Sequence, residues 1–383
     1  MLVSGAGIAG PALALWLAWL GLRVTVVERA STLRVGGQAV DFRGQAQLAV
    51  LARMGILEEV RDRQTHMGAQ LLVDAEGRRV LELPPAFMSG EIEILRGDLC
   101  RILYQATRDR AEYVFGDSIR VLEQDAEGVS VTFDRGAARR FDLVVGADGL
   151  RSRVRAAAFE GSEPVTFLDH YLASVDVPNH LGLDRSGVMM SAPGRGVLIS
   201  NVGPSTRAIF VFRHPTPDLE RAAPAERKRE VVKAFAGLGW AVPRLLEAVE
   251  RSDDMYFDAI ARVDMDRFWR GRVVLLGDAA WGGTLGGGGT GLAVVGAYVL
   301  AGELAAADGD FAVALTAYQA RIRDHALRCQ GGVNHVGGFY APPTRAHLWL
   351  RNWMYRVIAS PWLVKRVTAA AANGIRLPSY ALG

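Results

Sequence analysis

The first thirty residues leave this chain few folds to choose from. They read Leu2-Val3-Ser4-Gly5-Ala6-Gly7-Ile8-Ala9-Gly10, then an apolar run, then Val24-Thr25-Val26-Val27-Glu28-Arg29. A short β-like run ends in Gly-x-Gly-x-x-Gly and a helix-like run follows. Each glycine answers a separate demand. Gly5 lets the chain turn tightly out of a strand, Gly7 leaves a pyrophosphate room to approach the backbone, and Gly10 lets helix and strand pack closely. The helix start, at Ile8 and Ala9, presents free N–H groups and a partial positive charge to phosphates. Glu28 follows at about the 20-residue interval of a carboxylate that accepts from ribose hydroxyls. An acid there favours a ribose with free hydroxyls, and so FAD or NAD over NADP as the tightly held nucleotide. A glycine-rich turn in any α/β protein could carry the same letters. The strand before, the helix after and the acid closing the second strand favour the dinucleotide. The first strand is short, and one or two upstream residues are expected to be missing.

At 383 residues, half of them hydrophobic, the chain can hold two domains or one large domain with an insertion. A net charge of +3 and no basic block interleaved with aromatics argue against a nucleic-acid partner. Cys100 and Cys329 are isolated, so a reducing cytoplasm is the expectation, and the 7 histidines show no metal spacing. The apolar run Pro11 to Leu22 is too short to span a membrane, and no basic region precedes it as in a signal peptide.

Farther along, Gln45 to Arg63 has helical periodicity, and Gln70 to Leu83 reads as a hairpin turning at Asp74 to Gly77. A helix opens at Arg96, a β-meander spans Val114 to Phe141, and Leu143-Val144-Val145 is a buried strand. From Val165 to about Ile260, strand-like runs alternate with proline-rich loops and one helix, Glu226 to Leu238. This reads as a mainly antiparallel layer inserted into the nucleotide domain. Val273 to Leu276 is a further buried strand, followed by a glycine loop and a helix from Leu292. The remainder is helical and aromatic.

Three motifs stand in order: the glycine turn, Gly146-Ala147-Asp148-Gly149-x-Arg151-Ser152-x-Val154-Arg155, and Gly277-Asp278-Ala279-Ala280 before a glycine loop. This set resembles the FAD-dependent aromatic hydroxylases, single-component flavoprotein monooxygenases that include tetracycline-inactivating and antibiotic-tailoring enzymes. The resemblance covers residues 1 to about 310. It implies an α/β fold: a Rossmann-type FAD domain (1–70, 96–160 and 262–310), an inserted, mainly antiparallel substrate domain (71–95 and 161–261) and a C-terminal helical segment (311–383). It implies that Gly5, Gly7, Ile8, Ala9 and Gly10 hold the pyrophosphate, and Glu28 and Arg29 the adenosine end. Arg96 would reach the phosphate and ribityl region, and Asp148 and Asp278 would help hold FAD. Backbone N–H groups at Gly288, Gly289 and Thr290 would face the N1–C2=O edge of the flavin, with Arg43 near the ring. Read from the residues alone, Asp148 and Asp278 could equally be helix caps.

The implied activity is oxygenation of an aromatic or polyketide-like small molecule, with NAD(P)H as transient reductant and O2 reacting to a flavin C4a-hydroperoxide. No acid–base pair is named, because the cofactor carries the chemistry. The protein would be a monomer or homodimer with no membrane partner. Where the family reads Gly-Asp-Ala-Ala-His and then proline, this chain has Trp281 and Gly282-Gly283-Thr284-Leu285. A proline-free loop costs entropy to order, which puts oxygen transfer in question. A redox-neutral cyclase or rearrangement enzyme with bound FAD is the alternative, and a non-catalytic nucleotide-binding regulator a third. The tail from Pro342, with Trp349, Trp353, Tyr355 and Trp362, would cover the pocket, pack on the FAD domain or form a dimer surface; its many aromatics favour covering the pocket.

Overall fold

The computed structural model describes all residues except 34–35, 86–88, 160–164, 204, 286, 360–374 and 383. Its organising sheet has six strands, in the order Trp269–Arg270, Val273–Leu275, Val144–Gly146, Leu2–Ser4, Thr25–Glu28 and Glu112–Phe115. All neighbours are parallel except the first pair. Val3 lies between Val145 and Val26, and all three are fully buried. Such short, wholly apolar runs suit strands covered on both faces. The helices Ala9–Trp19 and Gly289–Ala306 pack together against this sheet, with Trp16 meeting Tyr298 edge-on at 5.2 Å. Gly289–Ala306 is long and apolar enough to cross a membrane, but it is a buried core helix.

A second sheet of seven strands runs Tyr256–Val263, Val165–Val177, Ser205–Arg213, Arg195–Val202, Gly187–Ala192, Gln70–Val73, Arg79–Leu83. Only the Gly187–Ala192 and Gln70–Val73 pair is parallel. Side chains alternate between its faces. Tyr171, Phe210 and Phe212 pack beneath the helices Pro224–Phe235 and Val242–Arg251. Leu172, Leu198, Ile209 and Met189 face the other way, toward Val333 and Val336 of the C-terminal helices and Leu285 of the glycine loop.

Several elements differ from the sequence reading. The strand around Val114 joins the parallel sheet beside Thr25–Glu28, and only the next three strands form an antiparallel sheet. Ala39–Phe42, given no element in the sequence reading, is a strand paired with Ile92–Leu95. The helix read over Gln45 to Arg63 is two, Gln45–Arg53 and Leu57–Asp62, because Gly55 between them has φ 70. Val242–Arg251 is a second helix over the seven-stranded sheet, with proline in its first turn where the ring is tolerated.

The C-terminal helices are Phe311–Val333, Val336–Tyr340 and Arg345–Ile358. Residues 375–382 return to the first core, where Leu382 is buried and Tyr380 packs on Tyr298. The tail therefore does two things: one helix lies on the seven-stranded sheet, and the terminal segment straps the FAD-motif core. Trp362 lies outside the described residues.

A candidate cofactor cleft where three turns meet

The three motifs leave adjacent parallel strands, so they converge without further arrangement. They also touch. A Cβ on Gly5 would lie 2.4 Å from the Ala147 carbonyl oxygen, so only glycine permits the first and second turns to approach. Arg155, at the end of the second motif, donates to the carbonyl of Ala279 in the third at 2.8 Å. A Cβ on Gly277 would lie 3.1 Å from that of Ala9. Gly10 is tighter: its Cβ would fall 1.9 Å from the Gly5 carbonyl oxygen.

Gly7 is different. The one described heavy atom that its Cβ would meet within 4 Å is Nη2 of Arg96, at 3.9 Å. The backbone here faces open space with a cation across it. Glu28, at the close of its strand, accepts backbone N–H bonds from Ala6 and Ala30, each at 2.9 Å. One carboxylate thus ties the strand end to the glycine turn and keeps lone pairs in reserve. Arg29 follows it, exposed.

The two aspartates that read alike in sequence part here. Asp148 is a cap: its carboxylate accepts from the Ser152 hydroxyl, from Arg153 N at 2.8 Å and from Val154 N at 3.2 Å, organising the helix Arg153–Ala158. Asp278 makes no side-chain hydrogen bond among the described residues. It is open to solvent yet surrounded by protein, as a residue lining a cleft is. That surrounding protein pushes its carboxyl above the usual range, and the Arg96 guanidinium pulls it back. Gly289 opens the long helix beside it, and a Cβ there would lie 3.8 Å from Asp278 Oδ1. Gly288, at φ 71, turns the chain into that helix, with Thr290 in its first turn. Arg43 pairs with Asp41, while its N–H donates to Gln47 at 2.7 Å.

Two neighbours had weak or no sequence signal. Gly37, at φ 132, lies against Arg96, and its carbonyl accepts from Arg207 of the seven-stranded sheet at 3.0 Å. The Gly36-Gly37 pair was its only trace. Tyr256, 54% exposed, is also within the field of Arg96, and burial of its phenol followed by Asp258 raises its pKa. Nothing in a strand-opening tyrosine announces this.

Trp281, where the family has histidine, is buried against Phe268 and Gly296 rather than open to the cleft. The proline-free loop is pinned by other means. Gly282 O accepts from Val263 N at 2.9 Å, Thr284 N donates to Ala261 O at 3.0 Å, and the Thr284 hydroxyl donates to Ala259 O at 3.0 Å. Hydrogen bonds to the strand Tyr256–Val263 thus restrain residues 282–284 where the family uses proline.

Residues 1–328 match the family model described as an FAD binding domain. The chain belongs to the FAD-dependent aromatic hydroxylases. This chain is 38% identical over 334 residues to a flavin-dependent monooxygenase of Legionella longbeachae, covering 84% of this chain and 85% of that protein. An uncharacterised protein of Mycobacterium tuberculosis is 39% identical over 340 residues, covering 86% of this chain and 91% of its own. The crystal structure of tetracycline destructase Tet(51) matches with a TM-score of 0.85 at 32% identity, over 99% of both chains. The chain is accordingly an oxidoreductase and a flavoprotein.

Proposed function

We propose that this protein uses O2 and NADH or NADPH to oxygenate an aromatic or polyketide-like small molecule. The observation that carries the reading is that Arg96 stands across the open backbone of Gly7 and also acts on the Asp278 carboxylate, which lies at the Gly289 helix start. Bound FAD would supply electron storage and oxygen activation. The chain's part is to hold and orient it. Gly5, Gly7, Ile8, Ala9 and Gly10 would receive the pyrophosphate at a helix N-terminus. Glu28 would accept from the ribose with its remaining lone pairs, Arg29 beside it. Arg96 would pair with phosphate, and Asp278, without a side-chain hydrogen bond among the described residues, would accept from hydroxyls. N–H groups at Gly288, Gly289 and Thr290 would stabilise negative charge at the ring edge. Arg43 would lie beside the ring, and Asp148 would help hold FAD through the helix that it caps. The division would be 1–70, 96–160 and 262–310 for FAD, 71–95 and 161–261 for substrate, and 311–383 as the helical segment.

The substrate would lie on the inner face of the seven-stranded sheet, formed by Met189, Leu198 and Ile209 and reached by Leu285 of the glycine loop. Ser174 Oγ is buried on that face without a partner among the described residues, as is Gln70 Oε1. An apolar wall with a few unsatisfied polar groups suits a largely aromatic ligand bearing hydroxyl or carbonyl groups. Tetracycline is the first probe, given the Tet(51) likeness. The test is NAD(P)H-dependent O2 uptake with tetracycline and a phenol panel, with product masses. A product heavier by one oxygen supports the reading. Turnover to an isomer of unchanged mass would instead establish the redox-neutral alternative.

A further inference from the structure

The helix Arg345–Ile358 is apolar on both sides: it seats Tyr355 and a buried arginine inward and leaves a second apolar stripe outward. Arg351 points inward and is 7% exposed. Its guanidinium donates to Ser191 Oγ at 2.9 Å, to Asn352 Oδ1 at 2.8 Å and to the Phe339 carbonyl. Burial pushes its pKa down to about 10. The outward face carries Trp349, Leu350, Trp353, Met354 and Val357, which are 40% to 67% exposed. Their spacing places them on one continuous helical stripe. Single exposed apolar residues are ordinary, but a stripe with two tryptophans marks a contact surface.

Charge indicates what it contacts. The helix carries no acidic residue, and none of the 41 in the chain lies beyond Asp324. Arg345, His347 and Arg356 are exposed on the same helix as the stripe. A second copy would bring like charges together across any two-fold contact. We propose that this face docks on an anionic lipid surface. The helix lies along the protein surface as an interfacial helix does, its tryptophans at headgroup depth and its cations toward lipid phosphates. Two indoles, each with an apolar body and a polar N–H, suit that boundary better than a protein groove. The face would rest on the bilayer without spanning it, which accords with the lack of an exposed spanning helix among the described residues.

The test is flotation of the full-length, FAD-loaded protein with vesicles of phosphatidylcholine alone, or mixed equally with phosphatidylglycerol. Binding is expected to the mixed vesicles only and to weaken with added salt. Trp349→Ser with Trp353→Ser should abolish it, and Arg345→Gln should weaken it about fivefold. Unchanged flavin absorbance and circular dichroism would confirm that the variants are folded. Absence of binding to the mixed vesicles overturns the proposal. So does a dimer in light scattering that the paired tryptophan substitution dissociates, because the face then belongs to a second copy. Capture by an acidic polypeptide such as polyglutamate, without vesicle binding, overturns it in favour of a protein partner.

Discussion

The Glu28 carboxylate accepts the backbone N–H of Ala6 at 2.9 Å, joining residues 22 apart in sequence. The second strand and the glycine turn are therefore set relative to each other before any nucleotide arrives. Glu28→Ala removes both this bond and the one from Ala30. At about 1.5–3 kcal/mol for a hydrogen bond to a charged group, FAD affinity should fall roughly ten- to a hundredfold. Glu28→Gln keeps one acceptor and should lose less. FAD titration of the apoprotein by fluorescence measures this; equal affinities for Glu28→Ala and wild type would refute it.

Gly7 and Gly10 should fail in different ways. Gly10→Ala puts a Cβ 1.9 Å from the Gly5 carbonyl oxygen, so the backbone must shift. We expect little soluble protein, or a melting temperature lowered by several degrees without FAD. Gly7→Ala has room, with Arg96 Nη2 at 3.9 Å its sole described neighbour within 4 Å. Its apoprotein should melt like wild type but lose FAD binding. Paired melting curves with and without FAD separate the two, and a Gly7→Ala protein that retains FAD would contradict the open-cleft reading.

The terminal strap is held against one glycine. A Cβ on Gly302 would lie 2.1 Å from the Tyr380 ring, whose hydroxyl donates to Glu303, while Tyr298 donates to Pro378 O at 2.9 Å. Gly302→Ala should expel the segment, as Tyr380→Ala should release it, each costing about 1–3 kcal/mol. Because both break one contact, the double variant should be scarcely worse than either single one in urea unfolding. Full additivity would show the strap is not seated there.

Glu93 should set part of the pH dependence. Burial raises its pKa above 4.5, against hydrogen bonds from Thr65 at 2.8 Å and Ser89 at 3.0 Å. A carboxyl with a raised folded pKa holds its proton better in the fold than in the unfolded chain. Its stabilising contribution is complete below the ordinary value and lost as pH climbs through the folded one. Glu93→Gln removes that loss, so its melting temperature should gain on wild type as pH rises above the ordinary carboxylate range. Parallel profiles would contradict this.

What the sequence discloses is local. Glycine spacing encodes a steric demand that acts over a few residues, so the three turns and their strands could be read directly. Long-range partners could not. Nothing in Glu112–Phe115 says that it pairs with Thr25–Glu28 rather than with the next hairpin. Asp148 and Asp278 follow similar letters, yet one spends its carboxylate on Ser152, Arg153 and Val154 and the other stays open. Only packing of the neighbouring chain decides which. Trp281 likewise reads as a lost active-site position until Phe268 and Gly296 are seen to enclose it. The helix Arg345–Ile358 keeps ordinary amphipathic periodicity, and periodicity does not say which face is inward.

The most direct test of the central claim is the visible spectrum of the purified protein reconstituted with FAD, followed anaerobically by NADH or NADPH with tetracycline present. A yellow protein with one FAD per chain, bleached by the nucleotide and restored by oxygen, is the predicted result. A protein that stays colourless after reconstitution, or a bound flavin that neither nucleotide reduces with any candidate substrate, would contradict it.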